Sequence, residues 1–472
     1  MSHILFVQSQ TFAYPGLYYI CGALRTAGHT YKILISENSF LVKKYISTHK
    51  PAVVGFPCMT GMHRKILEIA KGIKQDFPEC LTLLGGIHPT LYPEIIDDPN
   101  VDILCRGEGE KAVVELLDSI DLGNLNYSIE NLSFKIGNQI KHNPMRPLIN
   151  PMDSLPFPDY SIYQDMDVLS ADTFPMVYMA RGCPFSCSYC HNSSQRTLYK
   201  GLGKYVRTFG VKRILDEVEA ALKCYPQARA VMLGSDTLGT DLDFLTDLLT
   251  GFHRRFRIPY TCLIRPEFIN EKLAKLLKKT KCHMIAFGIE SGSERVRREL
   301  LNRKYTNADI INSATILKKY NIRFRTYNII GFPSETHAEM LATLKLNLKI
   351  KPDFPWISIF TPYPGTRLAE FSINRGYLAK DFNYDHVPTS FFNDTLLKNV
   401  DRNFILNFHS LFQALVLWPF LYPVLKRFLT VKHNKLFRFV FKTVYAYTCI
   451  RSENRSVASF LGLALANRKL FR

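Results

Sequence analysis

Met176-Val-Tyr-Met179-Ala-Arg-Gly-Cys183-Pro-Phe-Ser-Cys187-Ser-Tyr-Cys190-His191-Asn192 is a short apolar run leading straight into a loop that carries three thiols. Downstream, to about Thr366, apolar runs alternate with helical stretches. Strand candidates are Met176–Met179, Ala230–Leu233, Thr261–Ile264, Met284–Ile289, Arg323–Ile330 and Trp356–Phe360. Repeated β-α units predict parallel strands covered by helices, here a partial (β/α)6 TIM-like barrel over residues 174–370, with reactive groups at the strand C-termini. The triad lies at the end of the first such strand.

Upstream, the same alternation is expected over residues 1–122. Strand candidates are His3–Val7, Tyr31–Ile35, Pro51–Phe56, Leu81–Leu84 and Ile103–Cys105. Helices are expected near Tyr18–Ala27, His63–Phe77 and Glu110–Ile120. This predicts a doubly wound parallel sheet of Rossmann-like type, with ligands beyond the carboxyl ends of the strands. Glycines recur at those ends, at Gly16, Gly61, Gly85-Gly86, Gly107 and Gly109, where the missing Cβ lets backbone approach a bulky ligand. Residues 123–173 hold Pro144, Pro147, Pro151, Pro156 and Pro158 and are expected to be a linker. Residues 371–472 read as a basic helical region. The fold class is therefore α/β: a doubly wound domain, a partial barrel, then a helical C-terminal segment.

The chain has 472 residues, 47% apolar, and a formal charge of +19. That length suits two or three domains with real cores. From Asp401 onward there are 12 Lys/Arg against 2 Asp/Glu, so this tail holds over half of the excess. Only three of the 11 cysteines cluster, which fits a reducing cytoplasm better than a disulfide framework. The N-terminus begins directly with a strand-like run, without a basic leader or cleavage site.

Three closely spaced thiolates can ligate three irons of a 4Fe–4S cluster and leave the fourth iron free to chelate a small molecule. Zinc on Cys183, Cys187, Cys190 and His191 is a competing reading, though structural zinc sites usually draw ligands from two separated knuckles. Three buried free cysteines are a second.

The C-x3-C-x2-C spacing with an aromatic before the last cysteine resembles the radical S-adenosylmethionine (SAM) superfamily, and the likeness extends from about Phe174 to Thr366. It implies that Cys183, Cys187 and Cys190 hold the cluster and that the backbone of Tyr189 lies near the SAM adenine. Leu233-Gly-Ser-Asp236 resembles the segment that meets the methionine ammonium but departs from the usual Gly-Gly-Glu form at Ser235 and Asp236. Phe287-Gly-Ile-Glu290-Ser291-Gly-Ser293 resembles the Gly-Ile-Glu-Ser-Gly pattern near ribose and methionine. Asn328-Ile-Ile-Gly331-Phe-Pro333-Ser-Glu335-Thr336 resembles the adenine-side turn. Thr361-Pro-Tyr-Pro-Gly-Thr366 resembles the segment that closes the core, and Arg265 stands where an arginine is common. Singly, each motif also suits a strand-to-helix turn or a helix cap, as with Glu290-Ser291-Gly292.

Pro15-Gly16 to Gly28-His29, Val53-Val-Gly-Phe56, Gly85-Gly86-Ile-His88-Pro-Thr90 and Arg106-Gly-Glu108-Gly-Glu110 resemble the cobalamin-binding domain that precedes many radical SAM enzymes. The likeness implies cobalamin contacts at Gly16, Gly85, Gly86 and Glu108. Acidic residues opening a helix and a plain strand-end turn account for Glu108 and Gly85-Gly86 equally well. The Asp-x-His-x-x-Gly sequence that supplies a histidine to cobalt is absent, and His29 and His88 lack that context.

The resemblance implies an oxygen-sensitive enzyme in which a flavodoxin- or ferredoxin-type donor reduces the cluster. SAM is then cleaved to a 5′-deoxyadenosyl radical that takes hydrogen from an unactivated carbon. With cobalamin, methyl transfer to a small molecule or lipid-like metabolite is the expected outcome. Cyclisation or rearrangement is the enzymatic alternative, and a non-catalytic zinc- or cobalamin-binding protein the other. Phe404–Leu425 is long enough to span a bilayer but contains Asn407, His409, Gln413, Pro419 and Pro423, which favours a buried helix pair. The Lys/Arg and Phe residues that follow suggest peripheral contact of a cytoplasmic protein with the inner membrane surface. No nucleic-acid-binding module accompanies the charge.

Overall fold

The computed structural model describes residues 1–164, 166, 174–238, 241–453 and 456–466. The chain divides into two compact units. One comprises Met1–Ser170, Ser194–Phe209 and Tyr384–Thr389; the other comprises Ala171–Ser193, Gly210–Asn383 and Ser390–Arg472.

In the first unit, near-continuous Val/Ile/Leu runs form central strands buried along most of their length, as parallel strands require. The strands are β1 (His3–Gln8), β2 (Thr30–Ile35), β3 (Val53–Pro57), β4 (Leu81–Gly85), β5 (Ile103–Cys105), β6 (Leu132–Ile136) and β7 (Gln139–His142). Their order is β2-β1-β3-β4-β5-β6-β7. The first five are mutually parallel, and β6 and β7 add antiparallel pairings. Chain order reverses at β1, where β2 lies on one side and β3 on the other, which makes a topological switch point. Helices Pro15–Thr26 and Glu110–Asp121 pack together, as do Ser39–His49 and His63–Asp76. Leu5, Val54, Phe56, Ile69, Leu84 and Leu104 are central to its core.

The expected linker is largely part of this unit. Its prolines stop helices but do not prevent the β6–β7 hairpin, and its aromatics are buried. Tyr163 donates its hydroxyl to Gln8 Oε1 at 2.9 Å, and its ring lies 5.6 Å from that of Tyr18. Position 165 and positions 167–173 of the expected linker lie outside the described residues.

The second unit contains six parallel strands side by side in chain order: Met176–Tyr178, Val231–Leu238, Tyr260–Ile264, Cys282–Glu290, Arg323–Ile330 and Phe354–Ile359. Helices follow the strands, as the β-α period predicts. Two of them start with full capping boxes, Thr306 with Asp309 and Thr336 with Glu339. Burial alternates along Arg323–Ile330: Phe324, Thr326, Asn328 and Ile330 are buried, while Tyr327 and Ile329 on the other face line a cavity.

Of the apolar run expected as a buried helix pair, the second part forms only a 3-10 turn, Pro419–Leu421, and a one-turn helix, Tyr422–Leu425, neither of which buries a residue. The first part forms the buried helix Arg402–Leu417, ended by Trp418-Pro419. Its polar groups are used internally: Asn407 Nδ2 donates to the carbonyls of Phe428 and Val431, and Gln413 Nε2 to that of Pro355. Helices Lys435–Glu453 and Val457–Ala466 follow. Among the described residues no helix is long and apolar enough to cross a membrane.

Gly292 shows how tightly the second unit is packed. A Cβ there would lie 2.3 Å from the Ala342 carbonyl oxygen and 2.5 Å from the Thr343 nitrogen, and backbone cannot swing aside as a side chain can. Gly292→Ala is expected to lower stability by about 1–3 kcal/mol, read as a lower denaturant midpoint.

Candidate functional site

The strand Cys282–Glu290 ends in an irregularity: its register with the next strand shifts between Gly288 and Glu290, and Glu290 has φ 63°. A non-glycine residue is held in this left-handed region only where surrounding contacts fix it. Here Glu290 Oε1 pairs with Arg303 Nη2 at 3.0 Å, and both side chains are largely buried. Arg303 also donates to the Tyr305 hydroxyl at 2.8 Å, which donates to the Gly288 carbonyl at 2.6 Å. The fully buried Arg297 ties down the next turn, donating to the Ser291 carbonyl and to Asn307 Oδ1.

The cysteine loop is held from elsewhere in the barrel. Asn302 and Arg367 both donate to the Ser186 carbonyl, while Ser188 N donates to the Leu301 carbonyl and Leu368 N to that of Ser188. Asp236 accepts the Gly182 amide at 2.9 Å, so this residue of the atypical Leu-Gly-Ser-Asp segment fixes the loop's entrance. Arg265 stacks its guanidinium 3.6 Å from the centroid of Phe185, binds Glu267 through Nε, and points Nη1 at Cys187 Sγ at 3.9 Å.

These groups surround one cavity of about 460 Å³. Its lining carries Cys183, Cys187, Cys190, Arg265, Glu290 and Arg303. The same lining includes Leu263, Tyr327, Trp356, Ile359, Phe360 and Phe391. Tyr189 and Asp236 also line it. Ser291 is buried behind Glu290, with its hydroxyl directed at Glu335 Oε1 at 3.4 Å.

The adenine-side turn closes on Glu335, whose Oε2 accepts the amides of Gly331 and Phe332, while Pro333 is buried beside them. Burial pushes the Glu335 carboxyl up to about 8, against the two amide bonds that favour the anion. The folded state thus prefers the neutral acid. Its contribution is whole below pH 4.5, the value for a free glutamate, and is lost as pH rises through about 8. Glu335→Gln, always neutral, is expected to match the native chain near pH 4 and exceed its stability by about 3 kcal/mol at pH 7. Urea unfolding across that range checks it.

The three cysteines suit a metal cluster on chemical grounds. Burial raises the thiols of Cys183 and Cys190, the latter up to about 11. Thiolates there need bound metal to displace the protons. Among the described residues no group of three His, Cys, Asp or Glu side chains is placed to hold a single metal ion. Three separate thiols around a roomy cavity fit a group with several metal atoms.

In the first unit, the carboxyl edge of the sheet carries buried polar atoms that find no hydrogen-bond partner among the described residues: Thr11 Oγ1 after β1, His88 Nε2 after β4 and Arg106 Nε after β5. A ligand rich in amide groups would satisfy them. A Cβ on Gly16 would meet no atom of the described residues within 4 Å, whereas a Cβ on Gly86 (φ 106°) would lie 2.8 Å from the Cys58 carbonyl oxygen. Gly86 therefore admits the neighbouring loop. Gly85 meets only Cys105 at ordinary contact distance. Glu108 is engaged within the protein, forming a two-point pair with Arg207 and accepting the Ile149 amide. His29 binds Asp118 at 3.0 Å. His88 stacks on His63 with centroids 4.2 Å apart and shares a hydrogen bond with Thr60 through Nδ1.

Arg297, Asn302, Arg303 and Tyr305 were not legible as site residues. In a chain with 60 Lys/Arg the run Arg297-Arg-Glu-Leu-Leu-Asn-Arg303 looks like a solvated basic face. The π-helical turn at Val296–Leu300, a feature frequent at functional sites, emerges only in three dimensions.

The radical SAM superfamily profile matches residues 177–346, and the B12 binding domain profile matches residues 8–117. An uncharacterised methyltransferase, PH0819 of Pyrococcus horikoshii, is 33% identical over 372 residues, covering 77% of this chain and 79% of the relative. The chain belongs to the radical SAM enzymes that carry a B12-binding domain. As a member, this radical SAM enzyme has a 4Fe–4S cluster, SAM and cobalamin as its cofactors. The anaerobic magnesium-protoporphyrin IX monomethyl ester cyclase of Cereibacter sphaeroides is 24% identical over 371 residues, covering 74% of this chain and 58% of the relative. Among solved structures, the radical SAM methyltransferase TsrM from Kitasatospora setae shares the fold, with TM-score 0.65 at 16% identity over 79% of this chain and 76% of that one.

Proposed function

We propose that this radical SAM enzyme is a cobalamin-dependent C-methyltransferase acting on an unactivated carbon of a small apolar or lipid-like metabolite. The observation that carries it is the cavity whose lining combines three thiols and paired charges with apolar and aromatic side chains. The methyltransferase name of the 33% identical relative supports the reaction class.

In this reading Cys183, Cys187 and Cys190 hold the cluster. Arg303 and Arg265 offer guanidinium donors suited to a carboxylate, and Glu290 and Asp236 acidic groups suited to an ammonium. Tyr189, Ser291, Gly331 and Pro333 bound the nucleoside side. In the first unit, Gly16, Gly85 and Gly86 bound the cobalamin site, and Glu108 supports it through Arg207. Together the bound cofactors supply an electron from the cluster, a hydrogen-abstracting radical from SAM and a transferable methyl group from cobalamin. The aromatic side chains of the lining would limit the access of water to the bound cofactors. A flavodoxin- or ferredoxin-type protein is the proposed electron donor.

Cyclisation is the second reading, favoured by the match of 371 residues to a cyclase. The two separate by co-products. Anaerobically reconstituted enzyme is given SAM labelled in its methyl group, a strong reductant, and apolar or polar fractions of a cell extract. Methyl transfer yields 5′-deoxyadenosine, S-adenosylhomocysteine and label in an apolar product. Cyclisation yields 5′-deoxyadenosine without label transfer. An iron-loaded enzyme that forms no 5′-deoxyadenosine with any fraction would count against both.

A further inference from the structure

We propose that residues 418–447 form a docking surface for an anionic lipid bilayer. Two ring contacts fix its layout. Trp418 lies 5.8 Å from Tyr447 and Phe428 lies 6.5 Å from Phe437, centroid to centroid. The connector therefore runs back alongside helix Lys435–Glu453 in the opposite direction. The helix buries Phe437, Phe441, Val444 and Thr448, at helical spacing, and leaves Leu436, Phe439 and Tyr447 exposed.

On the connector, Phe420 is 75% exposed and Val424 59%, and Phe428 is exposed too. This exposure is imposed by anchored backbone. Leu429 is buried in the core, and Asn407 holds the carbonyls on either side of it.

Charge selects the partner. Lys426, Arg427, Lys432, Lys435, Arg438 and Lys442 fall within this surface, and the sequence has no Asp or Glu between Asp401 and Glu453. None of the six forms an ion pair with a carboxylate among the described residues. Nucleic acid would engage the cations and stack on aromatics, but gives exposed Val424 and Leu436 nothing to do. A bilayer takes both kinds of group, with apolar tips entering the acyl boundary and ammonium and guanidinium groups at phosphate level. The next helix, Val457–Ala466, carries no charge and exposes Val457, Leu461 and Leu465 at four-residue spacing. The surface thus lies on a bilayer without crossing it.

The test is flotation of the full-length reconstituted enzyme with vesicles of phosphatidylcholine alone or mixed with phosphatidylglycerol. Co-flotation is expected with the anionic vesicles and not the neutral ones, and is weakened by salt. Each cation neutralised in Lys432→Gln/Lys435→Gln should lower the partition coefficient roughly fivefold. Phe420→Ser/Phe439→Ser should lower it also at high salt, where only the apolar contribution remains. Circular dichroism verifies that each variant is folded. Absence of flotation with anionic vesicles overturns the proposal. So does flotation unchanged by either double substitution, or retention of RNA through the same lysines without vesicle binding.

Discussion

Alanine at Cys183, Cys187 or Cys190 is expected to abolish iron retention and, with it, all formation of 5′-deoxyadenosine from SAM. The two thiols left by any single substitution cannot hold a cluster that needs three protein ligands. The fold should survive, because the loop is fastened by Asn302, Arg367 and the Ser188–Leu301 and Leu368–Ser188 backbone bonds rather than by the thiols. A change in unfolding free energy within about 1 kcal/mol is therefore expected. Cys80→Ala, at a buried position in the first unit's core, is the control and should keep its iron. Iron and sulfide analysis after anaerobic reconstitution reads both. Full iron content in a triad variant would remove the cluster from this loop.

Arg303→Met should have the second-largest effect, on stability and SAM affinity together. It leaves the Glu290 carboxylate, only 8% exposed, without its cation. Breaking such a pair from one side costs about 3–5 kcal/mol, because the orphaned charge stays buried. The pair also stands on the cavity wall beside the triad, so SAM binding by equilibrium dialysis should fall as well. Glu290→Gln/Arg303→Met separates the roles. Removing both charges should restore most of the stability, since a neutral pair of similar volume has no orphan, but should not restore SAM binding. Recovery of both would show that the pair is structural only.

The β-α alternation of both units and the placement of the cysteine loop and later motifs near strand ends were legible because each depends on local spacing. A thiol cluster, an apolar run and a glycine turn carry their meaning within about ten residues. The Glu290 segment and the adenine-side turn could be placed in order after the triad for the same reason. The linker was misjudged because proline content reports what backbone is forbidden, not what the intervening aromatics bury. Tyr160 and Tyr163 found a partner in helix Pro15–Thr26 some 140 residues away.

By itself the sequence determined the family, the cofactor chemistry it carries and the β-α architecture, all of them properties of residue type at short spacing. Only the tertiary structure decided which charges meet. It gave Glu290 to Arg303, Glu108 to Arg207 and Asp236 to the Gly182 amide. It also separated the cations used inside the barrel from those left facing solvent along the connector. In a chain this basic, burial makes that distinction: a buried arginine must find a carboxylate or carbonyl, whereas an exposed lysine remains solvated and available to a partner.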